Sequence, residues 1–133
     1  MNYQKEVKEK YEATKEYTEY LEKTKNYTSS KWEKVNDGLN QIFFEFSILL
    51  KNDISFNSLE TQELVYKLQK YISDNYYTCT DDTLLGLSNM YVNDDRFKIN
   101  IDKHLEGTAC YVRNAVKFKV KNDNIWDNYA III

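Results

Sequence analysis

Proline is absent from this chain, and glycine occurs only at positions 38, 86 and 107. These residues are the strongest punctuation for turns and the poorest formers of helix interiors. A chain almost without them is suited to long helices rather than to the tight hairpins of a sheet. The apolar pattern agrees. No segment keeps a sustained period of two, while several keep the spacing of a buried helix face. The expectation is an all-α fold, a bundle of about five to seven helices with no sheet.

The chain has 133 residues, enough for one domain with a modest core. Its net charge of −3 argues against a bare nucleic-acid surface, which needs a basic face. No helix-turn-helix, zinc ribbon or phosphate loop is present as a motif. The charged start "MNYQKEVKEKYE" is not a signal peptide, and no apolar run approaches the ~20 residues of a membrane span. Two cysteines, Cys79 and Cys110, are too few for a disulfide scaffold. A cytoplasmic chain with reduced thiols is expected, without membrane contact, metal or cofactor. Tyrosine is abundant, at 12 residues. Its broad ring and polar tip suit core edges and ligand pockets. An A+T-rich genome accounts for part of the same bias.

Residues 3–26 are charged and weakly amphipathic, with apolar groups at Val7, Tyr11, Tyr17, Tyr20, Leu21 and, directly after, Tyr27. They predict one or two short helices with a break near Ala13 and Thr14, marginal without a packing surface. Residues 30–51 give the strongest helix. Ser30 and Glu33 form a capping box, and Trp32, Val35, Leu39, Ile42, Phe43, Phe46, Leu49 and Leu50 share one face. Gly38 inside it suggests a close crossing by another helix. Ser58 is the expected N-cap of a helix running to about Tyr76. Thr80 is the expected cap of the next, with Asp81 and Asp82 in its first turn. Asn93 is expected to cap a short helix with Phe97 and Ile101 inward. After Gly107 a last helix is expected over 108–120. The tail "NDNIWDNYAIII" is apolar and uncapped, and is expected to dock on the body or meet a partner.

Several stretches together resemble the TipAS family, antibiotic-recognition domains found as the C-terminal half of some MerR-type regulators. They are "YEATKEYTEYLEKTKNYTSSKW" (11–32), "NSLETQELVYKLQKYIS" (57–73), "GLSNMYVNDDRF" (86–97) and "YVRNAV" (111–116). The likeness runs from Tyr3 to Phe118. It implies a globin-like helical fold with a cleft for large, rigid, aromatic-rich peptide antibiotics, thiopeptides in the founding member and albicidin-like drugs in others. It also implies one ligand-binding domain over 1–133, made of a mobile lid arm (3–26), a helical core (27–120) and a tail (121–133). In the founding member a cysteine in a turn between two helices adds to a dehydroalanine of the drug. "YYTCTDD" (76–82) is similar to that turn, and Cys79 falls on the cysteine. There are departures. Positions that usually carry His or Arg in the following helix are Leu84 and Leu85 here. Within these residues neither a DNA-binding region nor a long dimerisation helix is expected.

The resemblance and the residue types together give Cys79, Tyr76, Tyr77, Trp32, Phe43, Met90 and Tyr91 as candidate ligand-binding residues, with Cys79 as a possible point of covalent attachment. Aromatic rings at helical spacing are more often core than pocket, so Trp32, Phe43 and Tyr91 serve equally as core or pocket base. A helix start after Cys79 favours its thiolate, but Asp81 and Asp82 already occupy that positive end, so no strong activation is expected. Cys110 is expected to be structural. His104, the one histidine, has no partner for a metal site. A Cys79–His104 nucleophile pair would need an oxyanion hole that no motif provides. The functional expectation is a binder of bulky hydrophobic antibiotics, either sequestering them or serving as the effector domain of a MerR-type regulator. The alternatives are a cysteine-nucleophile enzyme and a protein-interaction module using the apolar tail.

Overall fold

The computed structural model describes the backbone of residues 14–132 and side chains as far as Asp123. Within it lie six helices and no strand: α1 (Lys15–Thr24), α2 (Ser29–Lys51), α3 (Leu59–Asn75), α4 (Asp81–Asn93), α5 (Asp95–Asp102) and α6 (Thr108–Ile132). Residues 3–13, including Val7 and Tyr11, lie outside the described part.

The starts of α1 to α5 are each set by a short polar N-cap side chain accepting from the first turn. Thr14 accepts from the Tyr17 amide and Ser58 from the Thr61 amide. Thr80 accepts from the Thr83 amide. Two caps differ from expectation. Thr28, not Ser30, caps α2 and accepts from the Lys31 amide. Starting there gives α2 two more residues and brings Tyr27 edge-on to Trp32, ring centres 5.1 Å apart. Asp94, not Asn93, caps α5, because its carboxylate accepts from the Arg96 amide and also pairs with the Arg96 guanidinium. The last helix also continues past Val120 to Ile132. No Gly or Pro follows Gly107 to end it, and Lys119–Asp123 is an i,i+4 ion pair that supports another turn.

The core lies where α2, α3, α4 and α6 meet, with α4 and α6 the most extensively packed pair. Phe46, Val65, Leu68, Leu84, Val112 and Val116 are fully buried. Leu84 therefore belongs to this core, while Leu85 packs at its edge. The loop from α2 to α3 is pinned by polar bonds: the Tyr111 hydroxyl donates to the Ile54 carbonyl at 2.7 Å, and the Thr61 hydroxyl lies 2.9 Å from it. Gly38 receives a side chain rather than a helix backbone. The Tyr71 hydroxyl donates to the Val35 carbonyl at 2.7 Å and stands where a Cβ on residue 38 would be.

Candidate functional site

α3 ends because the chain folds back on it. The amides of Tyr76 and Tyr77 both donate to the Ile72 carbonyl. The Cys79 amide then donates to Ser73 Oγ (3.0 Å), and its carbonyl accepts from Gln69 Nε2 (2.9 Å). The turn is thus tied to the last two turns of α3, and Thr80 opens α4. Cys79 is 5% exposed, with its sulfur facing the Thr80 carbonyl at 3.9 Å. Burial and the neighbouring Asp81 carboxylate push the thiol up to about 12, with Lys119 only partly offsetting them. The thiolate is the reactive form, so this setting keeps the thiol protonated at neutral pH.

Beside the turn runs a chain of rings. Trp32 lies 6.3 Å from Tyr76 and 6.2 Å from Tyr20, and Tyr20 stacks on Tyr17 at 6.3 Å. Tyr27 closes on Trp32 and donates its hydroxyl to the Asn75 carbonyl at 2.7 Å. Burial raises the phenols of Tyr76 and Tyr20, so both stay neutral. The result is a wall of apolar faces contributed by α1, the start of α2 and the end of α3.

Side chains hold α1 against this wall. The Glu19 carboxylate accepts from both the Thr78 amide (3.0 Å) and the Thr78 hydroxyl (2.6 Å), and Lys23 donates to the Ser73 carbonyl (2.7 Å). The Thr78 bonds, first from its hydroxyl and then from its amide, hold the Glu19 carboxyl below its usual range. All three bonds are exposed to solvent.

On its other side the turn is held from within. Lys119 of α6, 5% exposed, donates to Asp81 at 2.9 Å and to Asp123 at 2.5 Å, and sits 4.6 Å over the Tyr66 ring. Gln69 bridges Asp81 (3.0 Å) and the Cys79 carbonyl. Burial works against all three charges. A proton shared with Asp123 and the bonds donated by Lys119 and Gln69 still lower the Asp81 carboxyl, and bonds to both carboxylates still raise Lys119. Asp123 is raised by burial.

Of the candidates read from sequence, Trp32, Tyr76, Tyr77 and Cys79 gather around this turn. Phe43 and Tyr91 are 3% and 4% exposed and meet edge-on at 5.3 Å in the core, separate from the Trp32 rings. Met90 is half-buried on α4. Tyr20, Tyr27, Glu19 and Lys119 are additions. The first two were visible as apolar positions of the arm, whereas the two charged residues carried no local signal. Cys110 is half-buried on α6. His104 faces the Phe44 ring edge-on, and burial, then Lys103, lowers its pKa. Among the described residues no three His, Cys, Asp or Glu stand together as metal ligands, and no helix is long and apolar enough to cross a membrane. An open groove of about 440 Å³ between α2 and α3, lined by Glu45, Ile48, Leu49, Glu60, Glu63, Leu64 and Lys67, contains none of the candidates.

Most of the chain is similar to known proteins. The family model of the TipAS antibiotic-recognition domain matches residues 3–118. The HTH-type transcriptional activator TipA of Streptomyces coelicolor is 31% identical over 114 residues, 86% of this chain and 45% of that protein. The HTH-type transcriptional activator mta of Bacillus subtilis is 30% identical over 103 residues, 77% of this chain and 39% of that protein. The chain thus spans less than half the length of these relatives. Among solved structures, TipAS of Streptomyces lividans, in complex with the thiopeptide antibiotic nosiheptide, matches with a TM-score of 0.82 at 29% identity. The match covers 91% of this chain and 85% of that one.

Proposed function

The chain belongs to the TipAS family of antibiotic-recognition domains, and from that premise we propose that it binds a bulky, largely apolar peptide antibiotic between α1, Trp32 and the Tyr76–Thr80 turn. The observation that carries the reading is the row of rings in which Tyr20 of α1 meets Trp32 and Tyr76, with the polar ties of α1 to the Tyr76–Thr80 turn and the end of α3 being exposed side-chain bonds. Ring faces supply apolar contact area, and a helix held mainly at its rim can lift and close again at modest cost. Thiopeptides are the ligand class this cleft suits, and nosiheptide is the probe to use.

The role is capture rather than catalysis. A thiol pushed up to about 12 is a poor nucleophile for turnover. Bound capture needs less, because confinement raises the effective concentration of the two partners. In that step Cys79 sulfur bonds to the β-carbon of a dehydroalanine, the carbon–carbon double bond is lost, and the thiol proton passes to the α-carbon. Binding of this kind serves either to sequester the drug or to signal its presence in a cytoplasmic MerR-type regulator; the curated relatives are HTH-type transcriptional activators.

The test is intact mass and a binding isotherm with nosiheptide, for wild type and Cys79→Ser. Binding is expected in both, and a slow adduct in wild type only. Loss of binding in the serine variant, or an adduct on Cys110 alone, would overturn the assignment of the turn.

A further inference from the structure

Lys119 is a buried cation that the binding reading does not use. It lies one residue past the end of the family match, at 118, and Asp123 lies beyond it. Its ammonium holds Asp81, the first residue of α4. Asp81 holds Gln69, and the same Gln69 amide group holds the Cys79 carbonyl. The chain of bonds therefore runs from α6 through α4 and α3 to the backbone of the thiol-bearing residue. Nothing on the arm side replaces it. Glu19 grips Thr78, one residue earlier, from solvent.

We infer that Lys119 is a positioning residue for the Cys79 turn, closing it from inside the fold so that the thiol is uncovered only when the Lys119–Asp81–Gln69 chain opens. Removing the ammonium leaves Asp81 and Asp123 facing each other without a cation. Asp81 then moves toward water, Gln69 loses one acceptor, and the Cys79 carbonyl loses its fixed donor. The turn opens locally while the α2, α3 and α6 core stays packed. The significance for drug capture rests on the proposed ligand turn, but the closure does not, so the test uses no antibiotic.

The experiment is alkylation of Cys79 by iodoacetamide, followed by peptide mass spectrometry at several low urea concentrations, for wild type, Lys119→Met and Gln69→Met. Local opening exposes little surface and depends weakly on urea, whereas global unfolding depends on it steeply. Both variants are expected to alkylate Cys79 about tenfold faster or more than wild type, at a rate nearly flat in urea. Gln69→Met cuts the bridge while leaving both ion pairs, so it carries the test if Lys119→Met does not fold. A Cys79 rate equal to wild type, or one that rises only with the full urea slope of global unfolding, would overturn the inference. Local opening of Cys79 without nosiheptide binding would instead uphold it and reject the ligand reading.

Discussion

Thr78 and Cys79 are neighbours in one turn, yet they are held in opposite ways. Thr78 is exposed, and both its amide and its hydroxyl end on the Glu19 carboxylate of α1. Cys79 is buried and tied to Ser73, Gln69 and, through Asp81, to a buried lysine. Exposed polar ties are worth little and are screened, while a buried charge without its partner is costly. The turn thus has an outer face that can be released and an inner face that resists release. That asymmetry suits a cleft that must open toward solvent without disturbing the core.

The comparison breaks most readily from the inside. Lys119→Met strands two carboxylates that are partly buried, and should cost about 3 kcal/mol of global stability, toward the low end for removing one partner of a buried pair. Urea unfolding measures it, and a loss below that of Tyr71→Phe would place Lys119 among ordinary surface charges. Next is the support of the aromatic wall. Gly38→Ala puts a Cβ 2.1 Å from the Tyr71 hydroxyl, so the ring must shift and give up its bond to Val35. The expected cost is about 2 kcal/mol. Tyr71→Phe deletes that bond alone and should cost about 1 kcal/mol. If the alanine is the milder of the two, the ring is not wedged over Gly38.

The smallest effect is on the outside. Glu19 is depressed in the folded protein, so its contribution is present above its ordinary value of 4.5 and is lost as pH falls below that and through the folded value. The protection of α1 amides, taken relative to their intrinsic exchange rates at each pH, should therefore fall at acidic pH and in Glu19→Gln, with the α2–α3 core unaffected. An equal fall in both regions would mean that α1 is part of the core rather than a cover.

Much of the fold was legible because the helices are long and one-sided. Ser58 and Thr80 each precede acidic residues of a first turn, Glu60 in one case and Asp81 and Asp82 in the other, and that charge pattern marked them as the caps. At Thr28-Ser29-Ser30 and at Asn93-Asp94 adjacent residues can all cap. The choice there was made by contacts elsewhere, Tyr27 with Trp32 and Asp94 with Arg96. The continuation of α6 was missed because its end was set at the last inward-facing residue read, Val120, although no Gly or Pro follows and Lys119–Asp123 pairs across the next turn. In the candidate site, Trp32 and Tyr76 were readable as aromatics at helix ends. Glu19 and Lys119 were not, since their partners are 59 and 38 residues away along the chain.

The account rests on the cleft beside Trp32, and that ring offers the most direct report. Trp32 and Trp126 are the two tryptophans, so Trp126→Phe leaves Trp32 as the single emitter. Titrating this variant with nosiheptide should give a saturable change in Trp32 emission, with its midpoint matching the calorimetric isotherm and moving to weaker affinity in Tyr76→Ala. No binding, or binding by calorimetry that leaves the Trp32 spectrum unchanged, would contradict the account.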